Sequence, residues 1–237
     1  MEGIYERGKK STAQIRKIQV LQGLRGIAFL LIFISHCNYR LNSYGRNIFT
    51  WLGGLGVSIF IMLSGYLLME NHHSDSLNAI EYLKKKLKKV YPLHILTLIM
   101  ALPLTIGGVK TIKYWIALFQ NLALVQSWST DWEIYFSFNA VAWYLSIYVF
   151  FILISPLVIR VLNGMEPYFF LLVGGIIGFE FVWCFFVQNK SIAHWLIYIC
   201  PIVRSMDYFL GGDLASSAKK EMLLKNMPLI IGNSGLC

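Results

Sequence analysis

Residues 18–38, IQVLQGLRGIAFLLIFISHCN, decide the class of this chain. An α-helix rises 1.5 Å per residue, so about 20 predominantly apolar residues cross the ~30 Å hydrocarbon core of a bilayer, and this run has that length. It is too long for the apolar core of a signal peptide and lacks a small-residue exit. His36 also stands where a lipoprotein-type cleavage before Cys37 needs a small residue, so the segment is read as a retained span. Similar runs recur at 49–69, 90–107, 140–159, 168–187 and 192–211, with Trp51, Tyr91 and Tyr168 at the flanks, where aromatic rings settle at headgroup level. The whole chain is 57% hydrophobic and 14% charged, which excludes an ordinary soluble domain. The expected fold is all-α: a polytopic transmembrane bundle of about six spans plus one short interfacial or re-entrant helix.

The formal net charge of +9 does not point to nucleic acid, because the lysines and arginines sit in short segments beside the apolar runs. Arg7, Lys9, Lys10, Arg16 and Lys17 precede the first run, and Lys84, Lys85, Lys86, Lys88 and Lys89 follow the second. Both segments fall on one side of an up-down path, and positive loops mark the cytoplasm, so the N-terminus is expected there. Residues 112–126, IKYWIALFQNLALVQ, are apolar but short and carry Gln120, Asn121 and Gln126. A non-crossing segment leaves 14 loop cations inside and five outside, whereas a crossing one leaves 11 and eight. The first split obeys the loop-charge rule better, so 112–126 is read as an interfacial or re-entrant helix on the outer side. The expected divisions are a basic cytoplasmic segment at 1–17, a transmembrane domain at 18–212 and a polar cytoplasmic tail at 213–237. The chain is read as multi-pass in the cell membrane, with the bilayer as its first partner and no nucleic-acid partner.

Ionisable residues inside a span are costly and mark function by default, which brings Arg25 and His36 forward. Their separation of eleven positions puts them within ~20° of one helix face and ~16 Å apart along it. Either alone has a bland explanation: Arg25 snorkelling to phosphates, His36 capping a helix end. One face carrying a fixed cation at one depth and a titratable imidazole at another is better explained by a site. The lysine run KKKLKKVYP reads first as an anchor beside anionic lipid and second as a seat for a polyphosphate, with Pro92 as a helix start. The glycines of the second run read as close helix packing, and Ser64 as a bond between helices. Asp131 and Glu133 are outer-loop carboxylates, and Arg204 and Asp207 are three apart on a helix, a spacing that allows a pair. The four cysteines, Cys37, Cys184, Cys200 and Cys237, suggest neither a disulfide framework nor a metal site.

In order, LQGLRGIAFLLIFISH, GVSIFIMLSGYLL, KKKLKKVYP and AWYLSIYVFFILISP resemble the type 3 acyltransferase family of membrane proteins, over about residues 15 to 212. The most specific element is the basic residue and histidine separated by ten residues, Arg25 and His36, followed by Ser64, Gly65 and Tyr66. Lys86 and Lys89 ahead of Pro92 stand where the family carries an arginine pair, a change that gives up bidentate phosphate contacts. Trp143, Leu145 and Ser146 match a Trp-x-Leu-Ser segment, and Arg204, Gly211 and Gly212 a later basic-plus-glycine element. A Glu that some members carry after the Trp-x-Leu-Ser segment is replaced here by the stretch Ile147, Tyr148, Val149. Members commonly have about ten helices, so the resemblance implies that this chain is C-terminally truncated.

The resemblance implies transfer of an acyl group, usually acetyl, from acyl-CoA to a hydroxyl of a cell-surface carbohydrate, glycolipid or related acceptor, with no metal. Lys86, Lys89 and Arg25 are then expected to bind the CoA donor, and His36 and Arg25 to be catalytic. His36 would act as general base on the attacking hydroxyl or as a covalent acyl carrier. The rival readings are a transporter or flippase with an intramembrane Arg/His site and an inactive truncated remnant of the enzyme.

Overall fold

The computed structural model describes residues 2–37, 43–71, 77–165, 169–187 and 192–226. Tyr168, Cys237 and residues 227–237 of the expected tail lie outside them. All regular structure among the described residues is helical: α1 (Glu2–His36), α2 (Ser43–Asn71), α3 (Ala79–Ala101), α4 (Ile112–Ala123), α5 (Trp132–Tyr135), α6 (Trp143–Met165), α7 (Phe169–Val187) and α8 (Pro201–Asn226), with short 3-10 and π turns between them. Four stretches, Lys17–His36, Trp51–Asn71, Ala79–Thr105 and Ala140–Gly164, are each long and apolar enough to cross a bilayer. In α7, Val173–Val187 forms a shorter apolar helix.

Two elements differ from the sequence reading in their boundaries. The third span starts at Ala79 rather than near 90, because the Asn78 side chain accepts from the backbone N–H groups of Ile80 and Glu81 and caps the helix there. The lysine run is therefore the first part of α3, and Pro92 lies inside the helix instead of starting it. The stretch 192–211 is not one continuous helix. It divides into a π turn at Trp195–Ile199, a break at Cys200 and the start of α8, where Pro201 occupies the first helical position, at which its missing N–H costs nothing. From there α8 continues without interruption to Asn226.

The directions of the helices follow from who meets whom. Lys17 near the start of the α1 span pairs with Glu70 at the end of α2 at 2.6 Å, while Ser35 at the end of α1 lies against Gly53 near the start of the α2 span. These two helices are antiparallel. By contrast, α8 runs the same way as α2, with Arg204 beside Ser58, Gly211 against Met62 and Gly212 against Met69. The backbones touch at that crossing: a Cβ on Gly65 would lie 2.0 Å from the Tyr208 carbonyl oxygen, and one on Gly211 would lie 1.9 Å from that of Met62. Only residues without a side chain allow such an approach. Around it sits the core, formed by Val57, Ile61 and Leu68 of α2, Ile147, Phe151, Ile159 and Leu162 of α6, and Tyr208 and Ala215 of α8. The Tyr208 ring stacks on Phe151 at 4.7 Å, and its hydroxyl lies 3.1 Å from Ser155 Oγ, which satisfies the phenol in an apolar setting.

Between α3 and α6 the chain leaves and returns on one side of the bundle. Thr111 caps α4 by accepting from the Tyr114 N–H, and the helix then runs back along α3. Tyr91 Oη donates to the Leu122 carbonyl at 2.8 Å, and His94 Nε2 lies 3.0 Å from the Asn121 carbonyl. Leu124, at φ 56°, closes α4 in the left-handed region, where its N–H reaches Asn121. The return limb is held by Asn139 Nδ2 donating to Thr97 Oγ1 at 3.1 Å and Gln126 Nε2 donating to the Ala142 carbonyl at 2.9 Å. The segment is thus a short helix and loop folded against α3 and α6.

Candidate functional site

Arg25 and His36 share one helix, and the bundle gives each a cavity of its own. Arg25 lines a cleft of about 290 Å³ together with Ser64, Tyr82, Lys85, Lys86, Lys89 and Tyr148. Its three lysines come from consecutive turns of α3, and Lys86 Nζ also lies 5.0 Å from the centre of the Tyr82 ring. Four basic side chains, Arg25, Lys85, Lys86 and Lys89, around one small cleft give it a positive potential that attracts anions. Ser64, from α2, donates to the Phe60 carbonyl of its own helix at 2.9 Å and is also the hydrogen-bond partner of the Tyr144 side chain on α6, the link between helices that the sequence suggested.

His36 lies at the other end of α1, in a cavity of about 730 Å³ lined also by Ser35, Trp51, Ser58, His194, Tyr198 and Arg204. Ser35 Oγ gives its proton to the Ile32 carbonyl at 2.6 Å and lies 3.3 Å from His36 Nδ1. An oxygen whose proton is already committed is left as an acceptor, which favours the tautomer with the proton on Nδ1 and the lone pair on Nε2. A neutral imidazole with a free Nε2 lone pair can take a proton from a hydroxyl.

The remaining wall of this cavity is braced by Arg204. Its side chain is 11% exposed and donates to Asp207 Oδ2 at 2.8 Å, to Ser58 Oγ at 3.0 Å and to the Tyr198 carbonyl at 2.9 Å, while the guanidinium lies 4.9 Å from the centre of the Tyr198 ring. The pairing of Arg204 with Asp207 allowed by their spacing is therefore formed, and it ties α8 to α2 and to the turn before α8. Trp143 is buried in the core, and Ser146 is tied to Ser127, with their hydroxyl oxygens 2.6 Å apart. Trp195 Nε1 donates to the Ser127 carbonyl at 2.8 Å, so the Trp-x-Leu-Ser segment fastens the 112–142 fold to the wall of the His36 cavity.

Asp131 and Glu133 line neither cavity. Both pair with Lys113, Asp131 at 2.5 Å, and together they clamp the start of α4 to α5. The lysine holds the Asp131 carboxyl below the usual carboxylate range, and the two carboxylates push the Lys113 ammonium up. Two polar residues escaped the sequence reading. His194 enters the His36 cavity from the loop before α8, and Asp213 is 1% exposed with Oδ2 lacking a hydrogen-bond partner among the described residues. Each was hidden by its surroundings in the sequence: His194 follows the polar residues QNKS, and Asp213 opens a polar stretch that resembles a tail. Among the described residues no group of His, Cys, Asp and Glu is arranged to hold a metal ion.

Comparison with known proteins bears on the chemistry. Residues 18–233 match the family described as Acyltransferase domain. Acyltransferase MdmB of Streptomyces mycarofaciens is 29% identical over 164 residues, which cover 63% of this chain and 41% of that protein. The match thus spans well under half the length of that relative. No solved structure matches the chain.

Proposed function

Because the chain belongs to this acyltransferase family, we propose that it moves an acyl group, acetyl in the simplest case, from acyl-CoA to a hydroxyl of a cell-surface carbohydrate or related acceptor. The observation that carries the proposal is the division of labour along α1, with a polycationic cleft around Arg25 at one end and an imidazole cavity around His36 at the other. Acyl-CoA has a phosphate-rich end and a long arm that finishes in the thioester. Lys86, Lys89 and Arg25 meet its phosphates from the cytoplasmic face of the cell membrane, and the arm extends along the bundle toward His36. The acceptor oxygen attacks the thioester carbonyl carbon as His36 Nε2 takes its proton. The carbon–sulfur bond then breaks, and the CoA sulfur leaves as thiolate to recover that proton. The ester of the acceptor and free CoA are the products, with no oxidant or reductant required.

The test uses the full chain in lipid nanodiscs, with acetyl-CoA as donor and release of free CoA thiol as readout. Lys86→Gln with Lys89→Gln should raise the donor KM and flatten its salt dependence. Arg25→Ala should act likewise and Arg25→Lys should partly restore donor use. His36→Ala should lower kcat by about 10² to 10⁴ without loss of insertion, the range that general-base assistance supplies. A His36→Ala protein that inserts normally and turns over at the parent rate overturns the mechanism. Saturable passage of an acceptor across the membrane without thiol release favours a transporter instead.

A further inference from the structure

The cavity around His36 contains a second imidazole, and its neighbours among the described residues leave that ring one free polar atom. His194 is wedged among three aromatic rings: Tyr135 lies nearly parallel at 6.1 Å between centres, Phe136 at 5.8 Å and Tyr198 at 5.4 Å. Its Nδ1 lies 3.1 Å from the Tyr135 hydroxyl. Tyr135 itself is 4% exposed, so the hydroxyl has no open route to solvent, and its proton goes to Nδ1. That assignment puts the imidazole proton on Nε2, the mirror of the arrangement at His36, where Ser35 leaves the lone pair on Nε2. Arg204, the cation of the cavity wall, directs its Nε and Nη1 to Tyr198, Ser58 and Asp207. One nitrogen in the cavity can therefore take a proton, and another can donate a hydrogen bond.

Resting on the donor-to-acceptor reading above, we propose that His194, oriented by Tyr135, is the acceptor-positioning residue of the His36 cavity, donating from Nε2 to an oxygen of the hydroxyl-bearing acceptor while His36 removes the proton. A polyol offers such an oxygen next to the one that reacts. Water does not, so His194 matters for transfer and not for hydrolysis. A core histidine that merely filled space would affect both equally.

The experiment measures the partition of acetyl groups between methyl glucoside and water, with acetyl-CoA as donor and the full chain in nanodiscs. His194→Asn keeps a polar group near the Nδ1 position and loses the Nε2 donor, and His194→Gln reaches the Nε2 position with an amide N–H. The Asn variant should raise the methyl glucoside KM at least tenfold and shift the partition toward hydrolysis, with hydrolysis itself and the donor KM unchanged. The Gln variant should recover most of the partition, and Tyr135→Phe should fall between parent and Asn. An unchanged partition in the Asn variant overturns the assignment, as does an equal loss of transfer and hydrolysis in a protein that inserts normally. If the parent releases no thiol at all, the donor reading itself fails and takes this inference with it, a result distinct from either of the others.

Discussion

At the scale of single residues, the two most informative positions are a cation and an imidazole that a lipid environment would otherwise exclude. Arg25 and His36 stood out in the sequence for that reason, and the structure places them in two separate cavities. The lysines were legible as a group, but only packing decides that Lys85, Lys86 and Lys89 line the Arg25 cleft while Lys84 and Lys88 do not. His194 could not be picked out, since it depends on Tyr135, 59 positions earlier in the chain, for its orientation. The glycines were read as packing residues without a ranking, and the crossing of α2 and α8 supplies one. Gly211→Ala would put a methyl group 1.9 Å from a backbone oxygen, with no flexible side chain to move aside, whereas Gly174→Ala on α7 meets nothing within 4 Å. Overpacking of this kind costs about 1–3 kcal/mol or more. The thermal unfolding midpoint in detergent should drop clearly for Gly211→Ala and hold or rise slightly for Gly174→Ala, and equal midpoints would place the crossing elsewhere.

At the scale of elements, the 112–126 segment packs as a short helix and turn beside α3. Its length and loop charges indicated a piece that does not cross, and the structure has α4 folded back along α3, held by Tyr91, His94 and Asn139. The mode of attachment was not legible, because Asp131 and Glu133 look like loop acids until Lys113 is seen between them. The Asp131 carboxyl is held below its ordinary value of 3.8, so its contribution is fully present above that value and is lost as pH falls through the lowered folded-state value. The Lys113 ammonium is raised above 10.5, so its contribution is present below that value and is lost as pH rises through the raised one. The clamp therefore holds across the neutral range and opens at both extremes. Amide exchange at the first turn of α4, corrected for intrinsic rates, should lose protection below about pH 3.8, and Lys113→Met should show the loss already at neutral pH. Pairs this exposed contribute little, so a several-fold change confined to this turn is expected, with no shift in global stability.

At the scale of the whole molecule, α1 and α2 run antiparallel and α8 runs with α2, and from the loop charges the N-terminus is expected in the cytoplasm. In a cysteine-free background, a cysteine at Thr130 should react with an impermeant thiol reagent added to intact cells, and one at Glu81 should react only after permeabilisation. The reverse pattern would turn the molecule over and put the polycationic cleft on the wrong face for a cytosolic donor.

The glycine crossing also constrains the order in which the molecule can be made. Gly65 and Gly212 lie 147 positions apart, yet their backbones meet, a Cβ on Gly65 falling 3.1 Å from the Gly212 nitrogen. As the ribosome delivers the chain, α2 enters the bilayer long before its partner exists, and its notch stays filled by lipid tails through the synthesis of α3 to α7. Late pairing of this kind makes the nascent hairpin a waiting intermediate, open to capture by insertion factors or by quality-control proteases. In a pulse-chase experiment, protease resistance of the α1–α2 hairpin should appear only once α8 has emerged, not stepwise with each helix.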